Sequence, residues 1–211
     1  MVLYDQRGHG DSTLPPTGFD LESQTRDLAQ ILVHTGFSTS PVDLVGHSMG
    51  ALIALRLALR NPRSVRRLVL ADAPMPACAH VAPSLRALAR EPGLALRALH
   101  GRRRDRLHQR IASLTGDTTL LHDVSAMQAE PDEALARYGG YVKLIYGRHS
   151  PCLSAGRHLL AVLPCATLDI LEAGHDLPEE AASELTQSVA RFLSVGEAGA
   201  RKNHSDAQVL S

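Results

Sequence analysis

Short apolar, β-prone runs alternate along this chain with stretches of helical periodicity. The runs are MVLY (1–4), PVDLVGH (41–47), VRRLVLAD (65–72), YVKLIYG (141–147) and ATLDIL (166–171). Between them lie FDLESQTRDLAQILVHTG (19–36), MGALIALRLALRN (49–61), SAGRHLLAVL (154–163) and PEEAASELTQSVARFL (178–193). A strand–helix alternation of this kind predicts a doubly wound, mostly parallel sheet with helices on both faces, an α/β fold.

Local signals sharpen the elements. Asp20 is a candidate N-cap for the first helix and Gly36 its stop. Asn61-Pro62 closes the second, and Pro178 falls in the first turn of the last. Leu185, Val189, Phe192 and Leu193 share one face of that last helix. MVLY reads as the end of a buried strand, followed by a turn in DQRGHGDS, although a buried parallel strand needs neighbours on both sides. Residues from about 73 to 140 lack strand runs and are rich in Ala, Leu and Arg, which predicts a helical insertion. It follows the C-terminal end of a strand, the side on which such sheets build their sites. One domain is expected over 1–195, with a disordered tail over 196–211.

Charge and cysteine usage narrow the function classes. Lys+Arg and Asp+Glu both number 22, so the formal net charge is zero. A nucleic-acid partner is not expected of such a balance, nor of 3% aromatic residues without a Trp. Cys78, Cys152 and Cys165 form no CxxC pair, so no metal site or disulfide framework is predicted. Asp5 and Arg7 interrupt the N-terminus as a leader, and Arg56 breaks the longest apolar run. These features predict a cytoplasmic protein with reduced thiols and no membrane partner; its oligomeric state is open.

The chemistry-bearing motif is DLVGHSMGALIAL, with Ser48 between Gly46 and Gly50 in G-x-S-x-G spacing. A Ser hydroxyl is a poor nucleophile until a base takes its proton. A tight turn between strand and helix thrusts the side chain forward, and small residues on both sides permit that turn. The helix beginning near Met49 aims its first N–H groups at developing negative charge.

Four stretches, YDQRGHGDS, LVGHSMGALIAL, LVLADAP and EAGHDLPEE, resemble the α/β-hydrolase superfamily in its lidded, esterase-like branch. The resemblance implies a Ser48 nucleophile, His175 as general base and the Met49 N–H as an oxyanion donor, with the insertion over 73–140 as a lid. His9, His47 and His149 are read as structural. An acid often follows the strand after the lid in this family, but Ser150 stands there in YGRHSP. Some members carry the acid one strand earlier, which points to Asp72; Asp176 is a weaker candidate. A serine at the nucleophile position disfavours the dehalogenase and epoxide hydrolase chemistries of this fold, which use a carboxylate.

The resemblance also implies parts not seen here. The loop supplying a second oxyanion donor would precede residue 1, with about 50 residues of strands and connections. The fold is therefore expected to be N-terminally incomplete as given, with a start lying upstream. From Arg86 to Arg110 the insertion holds eight Arg against Glu91 and Asp105. A solvated helix face is the preferred reading and a basic cap for anionic substrates the other. Leu85, Leu88, Leu96 and Leu99 would line the lid's underside or its own core. The predicted reaction is hydrolysis of an ester, thioester or related acyl bond of a small molecule, with no cofactor and no metal. C–C bond hydrolysis, lactone opening and cofactor-free peroxidation use the same triad. A non-catalytic, truncated member binding a small ligand is the reading from another class.

Overall fold

The computed structural model describes residues 1–37, 39–74 and 102–194. They belong to two compact units, Met1–Asp27 with Pro76–Ala129, and Leu28–Met75 with Glu130–Ser211. The first helix, α1 (Leu21–His34), begins as its sequence predicts: Asp20 Oδ1 accepts the Ser23 N–H at 2.8 Å. At its other end the N–H groups of Gly36 and Phe37 donate back to the carbonyls of Val33 and Leu32. This pair of bonds satisfies two of the carbonyls a helix end leaves open.

In the first unit residues 1–6 form no strand, which corrects the expectation for MVLY. Met1 and Leu3 are exposed, at 107% and 83%. No strand pairs with them among the described residues, and β-propensity without a partner buries nothing. The following turn is held by Arg110, whose guanidinium donates to the carbonyls of Gly8 (2.7 Å) and Ser12 (2.5 Å). Arg7 pairs with Asp27 through two 2.7 Å bonds. Helices α3 (Arg102–Gly116) and α4 (Leu120–Ser125) complete this unit's described elements. Asp123 of α4 accepts the Phe19 N–H at 2.9 Å. Leu85, Leu88, Leu96 and Leu99, and the Arg residues from 86 to 97, lie outside the described residues.

The second unit is built on four parallel strands in the order β1 (Val42–His47), β2 (Val65–Ala71), β3 (Tyr141–Gly147) and β4 (Ala166–Leu171). The two inner strands read as apolar runs because both their faces are covered. Leu68, Val69 and Leu70 of β2, and Leu144, Ile145 and Tyr146 of β3, are all fully buried. Helix α2 (Met49–Arg60) packs on β1 and β2. α5 (Asp132–Ala136) precedes β3, and α6 (Leu153–Val162) packs on β3 and β4 with Gly156 against the Tyr146 ring. Val69, Ala71 and Ile145 instead meet Leu177, Ala181 and the last helix. Neighbouring residues of one strand face opposite sides, so helices cover both faces of the sheet and the fold is doubly wound.

The last predicted helix is two: α7 (Leu177–Glu180) and α8 (Ala182–Ser194). The break falls at Ala181, with φ −142°, where burial of Leu177 and Ala181 in the core outweighs helical continuity. The predicted face of Leu185, Val189, Phe192 and Leu193 packs against that core. Among the described residues, no helix is long and apolar enough to cross a membrane.

Candidate active site

Two strands end on residues with a backbone turned the unusual way. Ser48 follows β1 with φ 52°, and Asp72 follows β2 with φ 47°. Both lie in the left-handed region that side chains rarely adopt. Sheet hydrogen bonds hold them: Ser48 N–H donates to Ala71 (2.9 Å) and Asp72 N–H to Ile145 (2.8 Å). Gly46 makes the turn at Ser48 possible, because a Cβ there would lie 2.3 Å from the Gly50 carbonyl oxygen. Met49 then opens α2, so its N–H belongs to the first turn, whose donors have no partner within the helix.

His175 lies in the loop between β4 and α7. Two side chains fix that loop's backbone. His47 Nε2 donates to the His175 carbonyl at 2.8 Å. Glu180 accepts the N–H groups of Gly174 (2.6 Å) and Asp176 (3.3 Å). β3 ends on Gly147, where a Cβ would lie 2.0 Å from the Gly174 carbonyl oxygen. Only a residue without a side chain lets strand and loop approach so closely.

The three side chains meet at this edge. His175 Nε2 is 2.9 Å from Ser48 Oγ, and His175 Nδ1 is 2.5 Å from Asp72 Oδ2. Asp72 is completely buried, and its Oδ1 accepts the Gly147 N–H at 3.0 Å. Ser150 Oγ makes a short hydrogen bond to Oδ2. In the neutral imidazole, a proton at Nδ1 donated to the Asp72 carboxylate leaves the Nε2 lone pair facing the Ser48 hydroxyl. The bond to Asp72, and next the neighbouring Cys152, push the His175 pKa up to about 10, against the opposing effect of burial. Burial pushes the Tyr146 phenol well above its usual value, and its hydroxyl donates to the Ala73 carbonyl at 3.0 Å.

Asp72, Cys152 and His175 bring one possible metal ligand each within 4.8 Å of one another. Two ligands about 2.0 Å from a tetrahedral ion stand about 3.3 Å apart. The 2.5 Å between Asp72 and His175 is instead the separation of a charge-assisted hydrogen bond.

The other residues singled out in the sequence have different surroundings. His47 holds the His175 loop, and His9 Nδ1 bonds the Arg7 carbonyl at 3.1 Å in the first unit. His149 keeps an exposed ring, 3.5 Å from Glu172, and Asp176 leads into α7. Sequence reasoning missed Gly147 and Ser150 as partners of the acid. Their signal was the pattern YGRHSP itself, in which the serine registered only as the lack of a carboxylate.

The profile of the alpha/beta hydrolase fold family matches residues 1–144. A protein of Variovorax paradoxus named as a carbamate hydrolase is 42% identical over 74 residues, 35% of this chain and 27% of that one. The sn-1-specific diacylglycerol lipase of Mus musculus is 44% identical over 72 residues, 34% of this chain and 22% of that one. These matches span about a quarter of the length of the curated relatives. Among solved structures, a thermophilic esterase from Thermogutta terrifontis superposes with a TM-score of 0.69 at 20% identity. That match covers 90% of this chain and 77% of the esterase, and at such identity it speaks for the fold. The strand order, the turn at Ser48 and the matched profile agree, and the chain belongs to the alpha/beta hydrolase family.

Proposed function

We propose that this chain is a serine hydrolase that cleaves an ester, thioester or related acyl bond of a small molecule. The observation that carries this reading is the line of Ser48 Oγ, His175 and Asp72, with its 2.9 Å and 2.5 Å separations. In this reading Ser48 Oγ attacks the acyl carbon while its proton passes to His175 Nε2. The imidazolium, held by Asp72, returns that proton to the leaving group. The acyl-Ser48 ester forms as the bond to the leaving group breaks. Water then enters, gives its proton to the same Nε2, and releases the acid. The first-turn N–H of Met49 serves the developing oxyanion.

The names of the relatives point the same way, since carbamates and acylglycerols both yield at an acyl carbon. A serine at the turn supports acyl transfer over reactions that need a carboxylate nucleophile. A fluorophosphonate probe tests the reading on the chain itself, with Ser48→Ala and His175→Ala as controls. Labelling that requires both residues supports it. A folded chain that resists labelling, or that labels equally in Ser48→Ala, overturns it.

A further inference from the structure

Ser150 follows β3 and is 8% exposed. The Cys152 N–H donates to its Oγ at 3.0 Å, and the same Oγ makes a short hydrogen bond to Asp72 Oδ2. These two bonds have a direction. The backbone N–H occupies an oxygen lone pair, and the carboxylate offers no proton, so the hydroxyl proton must lie toward Asp72. The Ser150 backbone is fixed as well, its N–H donating to the Gly147 carbonyl at 3.2 Å. Asp72 is thus held by Gly147 at Oδ1, and by Ser150 and His175 at Oδ2.

We infer that Ser150 is a positioning residue for the acid. Its hydroxyl fixes the rotation of the Asp72 carboxylate and shares the oxygen that holds His175. The inference rests on the proposed roles of Asp72 and His175. Two donors on one carboxylate oxygen divide its charge between them. The imidazolium is therefore held less tightly than by a carboxylate that lacks the second donor. Without the hydroxyl, a buried lone pair of Asp72 is left unmatched. Asp72 then pulls harder on the imidazolium and gains rotational freedom, which loosens the aim of Nε2 at Ser48.

Among the described residues, groups from several elements face His175. Asp72 comes from the end of β2, and Ser48 and His47 from the end of β1. Cys152 stands at the start of α6, its Sγ 3.8 Å from Nδ1. Glu180 of α7 bonds the backbone on either side of the His. Of these side chains, among the described residues, only that of Asp72 is hydrogen-bonded to Ser150, while Cys152 reaches it through its backbone N–H.

The test compares wild type with Ser150→Ala and Ser150→Thr in the full chain. His175 is followed by NMR titration of its ring, which needs no turnover. In Ser150→Ala its pKa should rise by about half a unit to one unit, and Ser150→Thr should restore it. With an activated ester, kcat of the Ala variant should fall about tenfold to a hundredfold with KM little changed. Its acid limb should move to higher pH. A folded Ser150→Ala with the wild-type His175 titration overturns the inference. Should the Ala variant not fold, Ser150→Cys, a near-isosteric weaker donor, decides: a partial rise supports it, and the wild-type value overturns it. Failure of the hydrolase reading shows separately, as turnover or labelling that survives Ser48→Ala.

Discussion

His175 Nδ1 lies 2.5 Å from Asp72 Oδ2 across 103 residues of sequence. The acid is wholly buried and the imidazole 41% exposed. One member of the pair therefore titrates in contact with solvent against a partner that does not see it. The raised pKa of His175 has opposite consequences for stability and for rate.

For stability, the folded pKa of about 10 stands above the ordinary imidazole value of 6.5. With Asp72 ionised, the pair stabilises the fold fully below about pH 6.5, and this contribution is lost as pH rises through about 10. Urea unfolding of wild type and His175→Gln at several pH values checks it. The gap between the two should be widest near pH 6 and should close by about pH 10.

For rate, His175 acts as a base only when neutral. The ester kcat/KM of the proposed hydrolase should therefore climb with pH throughout the range from 7 to about 10. A profile already flat at pH 7 would contradict the strength of the Asp72 bond.

Asp72→Asn should lower kcat by about 10³- to 10⁴-fold, because an amide can present its N–H to Nδ1 and reverse the tautomer. Steady-state kinetics on an activated ester reads the loss. A reduction of less than about tenfold would place the acid elsewhere.

Gly147→Ala should injure the site through its loop. The added methyl group would meet the Gly174 and Ala173 carbonyl oxygens at 2.0 and 2.5 Å, so the loop bearing His175 must retreat. Thermal unfolding should show a loss of about 1–3 kcal/mol, and fluorophosphonate labelling should slow with it. Gly116→Ala, where nothing lies within 4 Å, is the matched control and should change neither.

Leu144→Ala in β3 should cost about 2–5 kcal/mol by urea unfolding. Its side chain is fully buried in an inner strand, with no solvent face into which the cavity could relax.

Much of this architecture was legible in the sequence because its signals are local. Val42–His47, Tyr141–Gly147 and Ala166–Leu171 are apolar runs bounded by turns, and each forms its strand. Ser48, Asp72 and His175 could be grouped because their motifs resemble the family's pattern and all follow strands at the carboxyl edge, where the structure brings their side chains together. MVLY misled because its β-propensity is local while a strand's existence depends on a neighbour. The break at Ala181 was hidden for a similar reason: tertiary packing, not a helix stop signal, sets it. Ser150 was legible as a departure from a family pattern, yet its hydrogen bond to Asp72 depends on β2 and β3 lying side by side.

The amides of Ser48 and Asp72 each extend a strand ladder by one rung, onto Ala71 and Ile145 of the neighbouring strand. Those protons can exchange with solvent only when the edge of the sheet opens, although both residues sit beyond the strands proper. The serine turn is thus not a loop in the dynamic sense. Its backbone amide is held in the ladder of the neighbouring strand, and its opening is tied to that of the sheet edge.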